Sequence, residues 1–345
     1  MFANIFCLGG WNTGGKIAGL YAVLIGLNAV AWGWALAAFH NHPVLLGTAL
    51  LAYTFGLRHA VDADHIAAID NVTRKLMQEG KRPVAAGFFF SLGHSTVVVL
   101  LCIAVATATL RLQFDSLKEI GGVAGTSVSA LFLFAIAMAN IYILISLYGT
   151  FAAVRQGQRF VGEDLDVLLV NRGYLARWAK PLFRVITNSW QMYPLGFLFG
   201  LGFDTATEIG LLGVSATQVS QGLSIWSTLV FAALFTAAMA LVDTTDAILM
   251  LGAYGWAFIK PIRKLYYNLT ITFISVVVAF LVGGVEVLGL LEDKLALKGA
   301  FWNFIGELNG NFGTIGFLII GLFIVSWAVS ALVYEIKGYD KIEVQ

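Results

Sequence analysis

The chain has 345 residues, of which 59% are hydrophobic and only 12% charged, with a formal net charge of +1 and a mean hydropathy of +0.83. Soluble domains carry about 25% charged residues, so this composition excludes a surface built for water and points to a bilayer as the solvent. The small net charge, with no basic cluster outside the candidate loops, gives no sign of a nucleic-acid partner, and the two cysteines, Cys7 and Cys102, make no disulfide framework.

The N-terminal MFANIFCLGGWNTGG lacks a basic leader region and a small-residue cleavage site, so no cleaved signal is read there. A membrane helix needs about 20 mostly apolar residues. In chain order such stretches fall near 17–39, 44–70, 84–110, 128–153, 185–213, 223–253, 266–291 and 312–336. The expected fold is therefore all-α, a polytopic membrane protein with about eight transmembrane helices. It forms a single domain over 1–345, whose one sizeable polar connection is the loop at 154–184. The second, fifth and sixth stretches carry internal charges.

Loop charges orient the spans, because cytoplasmic loops are rich in Lys and Arg. TRKLMQEGKRP after span two, the Arg- and Lys-rich 154–184 segment after span four and IKPIRK after span six carry the positive charge. HNHP and SATQVSQG carry none, and the loops at 111–127 and 292–311 are mixed or acidic. Both termini are thereby placed on the cytoplasmic side.

A charge at the centre of a membrane helix costs about 2.5–3.5 kcal/mol on insertion scales, and the residues that accept this cost mark ion or proton paths. Span two carries His59, Asp62, Asp64 and His65, and span three carries His94 in FFFSLGHSTVVV. Span five carries Asp204 and Glu208 in LGFDTATEIG, and span six carries Asp243 and Asp246 in LVDTTDAILM. Imidazole and carboxylate together suit borderline divalent ions, and no Met or Cys is interleaved with them to select Cu(I). Some polar residues have plainer roles. Arg58 can pair with a neighbouring acid, Asp70 borders the inner end of span two as a cap or an inner gate, and His40 and His42 are solvated in the first loop.

At about 100° per residue, His59, Asp62 and His65 form a stripe spanning roughly 120°, while Asp64 lies about 140° from His59. A regular helix cannot aim His59, Asp64 and His65 at one ion. Either Asp62 is the partner within the stripe, or the helix is bent or unwound near 60–65, as transporter helices often are at their ion sites. The chain also hints at internal symmetry. FGLRHAVDADHI (55–66) matches FGLGFDTATEIG (199–210), aligning Asp64 with Glu208, and SLGHST (91–96) matches ALVDTT (240–245), aligning His94 with Asp243. Spans two and three against five and six suggest an inverted repeat.

RHAVDADHI, with its H-x4-D-H spacing, resembles the signature of the nickel/cobalt transporter family. The resemblance continues in order through LGHSTVV (92–98), LGFDTATEIG (201–210) and LVDTTDAILM (241–250), covering about 20–335. The family often has Gly after the second Asp of the sixth-span motif, where this chain has Ala247. The resemblance implies eight membrane helices and uptake of Ni2+, Co2+ or both across the cytoplasmic membrane by secondary transport. It also implies that His59, Asp64 and His65 select or bind the metal. His94 would complete the shell or orient a ligand, and Asp62, Asp204, Glu208, Asp243 and Asp246 would form the path, a proton relay or gates. The implied protein is not an enzyme and needs no cofactor: the ion is its substrate, and the bilayer its other partner. Three other readings of the same residues stay open at this point. A haem carrier would use His59 and His94 as axial ligands, efflux would reverse the direction, and another metal-dependent membrane protein would share the ligands. An intramembrane protease is disfavoured because HExxH is absent.

Overall fold

The computed structural model describes residues 10–106, 114–155, 186–202, 206–220, 222–257 and 261–336. Eleven α-helices are found among them. They are α1 (Gly10–Phe39), α2 (Pro43–His59), α3 (Ala63–Gln78), α4 (Ala86–Ala106), α5 (Phe114–Arg155), α6 (Met192–Phe199), α7 (Ala206–Ser220), α8 (Ile225–Ala257), α9 (Pro261–Leu295), α10 (Ala300–Asn309) and α11 (Phe312–Ile336). Short 3-10 turns at Ser189–Gln191 and Gly200–Gly202 flank α6, and no strand occurs among the described residues.

Six helices are long and apolar enough to cross a membrane, within α1, α4, α5, α8, α9 and α11. A seventh span results if α2 and α3 are taken together across their 51° bend. The remaining expected span, the fifth at 185–213, is represented by the short pieces α6 and α7. Residues 203–205 between them, and with them Asp204, lie outside the described residues. So does the connection expected at 154–184, apart from its first two residues, which end α5.

Sequence chemistry sets the helix limits. Pro43 starts α2 in the first turn, where its missing N–H removes no helical bond. Gly80, at φ 73°, ends the α3 segment: Gly80 N–H donates to Met77 and Lys81 N–H to Leu76, the paired bonds of a left-handed glycine terminus. The helix thus runs past the expected end of span two. Arg74 and Lys75, read from sequence as loop cations, are instead buried in it. Lys75 Nζ is held by the carbonyl of Ile186 at 2.5 Å and stands 3.4 Å from Glu79. The α7 segment closes in the same way, on Gly222 at φ 91°, with Gly222 N–H donating to Val219 and Leu223 N–H to Gln218.

The most polar helix lies in the interior. All residues of α3 except the half-buried Asp64 are buried, enclosed by α4, α5, α8, α9 and α11. By contrast, Ile25, Val30, Leu131, Ile145, Leu318 and Ile324 point outward from the long apolar helices, where lipid would cover them. Close backbone crossings fix this core. A Cβ on Gly56 of α2 would stand 2.3 Å from the carbonyl oxygen of Phe235 in α8, and one on Gly316 of α11 would stand 1.6 Å from that of Val61. Only glycine lets α11 press on the chain between α2 and α3.

Gly316→Ala is expected to lower the melting temperature of the purified protein, since overpacking costs about 1–3 kcal/mol. Gly321→Ala on the same helix should leave it unchanged or raise it, because a Cβ there meets nothing within 4 Å. Equal shifts for the two variants in a thermal melt would contradict the α11–Val61 contact.

Candidate metal site

Helix α2 ends at His59 and α3 starts at Ala63. In between, Val61 N–H donates to Arg58 and Asp62 N–H to His59, tight turns replacing α-helical bonds, and Asp62 is extended at φ −66°, ψ 148°. The irregularity expected at 60–65 is therefore present. It turns the imidazoles of His59 and His65 toward each other, with ring centroids 4.7 Å apart. From α4, His94 completes the group, its ring 4.7 Å from that of His59 and 4.8 Å from that of His65. One ligand atom from each of the three lies within 4.8 Å of the others, and all three residues are buried.

The polar atoms converge further. Nε2 of His59 and Nε2 of His94 are 2.8 Å apart. Oε1 of Glu208, from the first turn of α7, lies 2.8 Å from His94 Nε2 and 3.7 Å from His59 Nε2. A divalent ion with metal–nitrogen bonds of about 2.1 Å holds adjacent ligands roughly 3 Å apart, so this triangle has the size of one face of a coordination shell. His65 Nε2 has no hydrogen-bond partner among the described residues and is the fourth donor at hand.

Two carboxylates hold the rings by their other nitrogens. Asp62 Oδ2 is 3.0 Å from His59 Nδ1, and Asp243 Oδ1 of α8 is 3.3 Å from His65 Nδ1. Such contacts fix the tautomer and aim the distal nitrogen at an ion. The first turns of α3 and α7 bring partial positive charge, which favours the acidic side chains Asp62, Asp64 and Glu208 at these positions.

The expected site residues are thus placed as follows. His59, His65 and His94 come together with Glu208, and Asp62 and Asp243 support them. Asp64 is half-buried in the first turn of α3, its Oδ1 accepting the amide of His65 at 2.9 Å, apart from the three imidazoles. Asp246 lies one turn beyond Asp243, its Oδ2 buried and without a hydrogen-bond partner among the described residues. The haem alternative does not fit. Axial nitrogens on opposite sides of an iron stand about 4 Å apart, twice a metal–nitrogen bond, whereas His59 and His94 face each other at 2.8 Å.

Comparison with known proteins bears on the same residues. The family model NicO, described as "High-affinity nickel-transport protein", matches residues 45–333. The chain belongs to the NicO family. It is 63% identical over 332 residues to the high-affinity nickel transport protein of Cupriavidus necator, covering 96% of this chain and 95% of that one. It is 46% identical to the nickel transporter NixA of Staphylococcus aureus, over 91% of this chain and 93% of the relative. The cobalt transport protein NhlF of Rhodococcus rhodochrous is 40% identical, with 85% and 84% covered. No solved structure matches. Family membership and the apolar helices together make this NicO protein a multi-pass membrane protein.

Sequence reasoning had left Asp62 open between pairing with Arg58 and touching a metal; its contact with His59 Nδ1 depends on the break and is invisible in a regular helix. Tyr254 and Ser275, which bond Asp70, were not singled out at all. The signal for Tyr254 was its spacing: it follows Asp243 by eleven residues, about three helical turns, and so shares its side of α8.

Asp62→Asn and Asp243→Asn are each expected to weaken Co2+ binding to the purified protein by about 10–100-fold, read by isothermal titration. Unchanged affinity in both would show that neither carboxylate sets the ring orientation.

Proposed function

We propose that this NicO protein imports Ni2+, Co2+ or both across the cytoplasmic membrane as a secondary transporter, with both termini on the cytoplasmic side. The observation that carries this reading is the convergence of His59, His65 and His94 with Glu208 inside the bundle. Buried imidazoles grouped this tightly, with distal nitrogens facing one another, serve little purpose for stability, and imidazole suits nickel and neighbouring ions. The names of the relatives above agree with that chemistry.

In this reading a partly dehydrated ion enters from outside and exchanges water for the Nε2 atoms of His59, His65 and His94. Glu208 supplies a negative charge on the ion itself, and Asp62 and Asp243 hold the imidazoles from behind. Asp64 enters the shell by giving up its bond to the amide of His65. Asp204 and Asp246 serve the path. Ligands must be deprotonated to bind, so proton uptake by the site would favour release. No group here is assigned a catalytic role, and no resident cofactor is assigned.

Correspondences between the halves of the chain support an alternating cycle. Helices α3 and α7 both carry an acid in the first turn and close on a positive-φ glycine. Gly56 of α2 packs on the backbone of α8, and its counterpart Gly200 packs on the backbone of α4 at His94. These pairings suit an inverted repeat of spans two and three with five and six, whose halves would rock around the site.

Cells expressing His59→Ala or His65→Ala are expected to lose saturable uptake of radioactive nickel at submicromolar concentration while retaining the protein in the membrane. Near-normal uptake in either variant would reject the site. In vesicles of known orientation, ion movement outward only would reject import.

A further inference from the structure

The imidazole site is shut off from solvent: His59, His65, His94 and Glu208 are each 3% exposed or less. An ion held there must pass a closed barrier to reach the far end of α3, which leads into the α3–α4 connection. Helical geometry shows what that barrier is made of. Ala68, Ile69, Val72 and Leu76 lie within about 60° of His65 around α3, and each is buried and apolar. The polar residues of the same helix lie elsewhere. Asp70, Asn71 and Arg74 stand roughly 120° or more from His65, and they bond to Ser275 and Thr272 of α9 and to Asn140 of α5.

Phe90 heads this barrier. It is fully buried and lies one turn before His94 on α4, about 6 Å nearer the α3–α4 connection at 1.5 Å per residue. Its ring meets that of His65 edge to face, with centroids 4.8 Å apart and planes at 89°. Phe199, the last residue of α6, stands 5.4 Å from Phe90, and Phe132 of α5 follows at 6.0 Å from Phe199. Phe90 shares one apolar cluster with the four α3 residues and with Met192, Leu195 and Phe199 of α6. A Cβ on Gly196 of α6 would stand 1.9 Å from the carbonyl oxygen of Phe90, so α6 lies directly against the backbone that carries the ring.

Two lysines tie the segment before α6 to the end of α3. Lys75 Nζ donates to the carbonyl of Ile186 at 2.5 Å, and Lys81 Nζ to that of Thr187 at 2.9 Å. Glu79 lies against both, 3.4 Å from Lys75 and 2.7 Å from Lys81. The side chain of Gln191 accepts the amides of Thr187 and Asn188, which stiffens the segment leading into α6.

We propose that Phe90 is the inner gate residue of the metal path, the first member of an apolar seal between α3, α4 and α6 that Lys75 and Lys81 latch shut. This proposal rests on reading the protein as a metal importer. A packed apolar constriction stops a divalent ion because it offers neither water nor ligands to replace those the ion gives up. Release toward the α3–α4 connection then requires α6 to withdraw from α3, which breaks both lysine bonds and frees Phe90 from His65.

The test uses the full-length protein in proteoliposomes of known orientation, loaded with one equivalent of radioactive Ni2+. Its release is timed with EDTA added to one face of the membrane at a time. Phe90→Ala should speed release at least tenfold to the face that bears the α3–α4 connection and leave release to the opposite face unchanged. Phe90→Leu, which refills the seal, should restore slow release. Lys81→Met, at a half-exposed position, should speed release severalfold to the same face and covers the case in which Phe90→Ala does not fold. Release unchanged in both Phe90→Ala and Lys81→Met, or accelerated equally to both faces as by general loosening of the bundle, overturns the gate. Either result leaves the import reading intact if tight Ni2+ binding still requires His59. If His59→Ala binds Ni2+ as tightly as wild type, the import reading fails instead.

Discussion

The break between His59 and Ala63 is the constraint on which the rest of the site depends. In an unbroken helix His59 and His65 would stand about 9 Å apart along the axis at 1.5 Å per residue, too far to share one ion. Three residues of tight turn and a 51° bend instead bring their rings to 4.7 Å. The bend is held by contacts from several elements. Asp62 stands just before the new helix and its side chain binds back to His59, and Gly316 lets α11 press on Val61. Gly56 lets α2 reach the α8 backbone just before the break. A helix left to itself would gain backbone hydrogen bonds by straightening, so the packing around the break must oppose that gain.

A second constraint follows from the bilayer. Lipid provides no partners for polar groups, so the polar helix must be surrounded by protein. That explains why α3 is enclosed on all sides although its sequence is the least apolar of the chain, and why long helices such as α5 and α9 turn apolar faces outward. It also explains the arrangement of carboxylates: each of Asp62, Asp243 and Glu208 lies against an imidazole, and Asp70 accepts two hydroxyls. The charge-bearing motifs of spans two, three, five and six are far apart in the chain and meet only because those spans pack on one another.

Much of this was legible in the sequence. Apolar runs located the long helices to within several residues at most ends, although α5 begins at Phe114, inside the segment expected as a loop at 111–127, and the clash between a 100° period and the spacing of His59, Asp64 and His65 pointed to a break where one occurs. His94 was identifiable only by its company, since a single histidine in an apolar helix carries no pattern of its own. Three features were not legible for physical reasons. The continuation of α3 to Gln78 was masked because Arg74 and Lys75 look like loop cations until Thr272, Asn71 and Ile186 are seen to receive them. The supporting role of Asp62 depends on backbone angles that no helical wheel contains. The local bond of Asp64 to the amide of His65 reflects the free N–H groups of a helix start, and those exist only because the span is broken.

The central claim is that a transported ion is held by imidazole nitrogens of His59, His65 and His94 together with Glu208. X-ray absorption at the nickel edge of protein loaded with one equivalent of Ni2+ tests it most directly. The account predicts a nitrogen and oxygen shell near 2.1 Å, with the multiple-scattering pattern of about three imidazoles and no sulfur at about 2.3 Å. A shell of oxygen alone, with no imidazole signature, would contradict it.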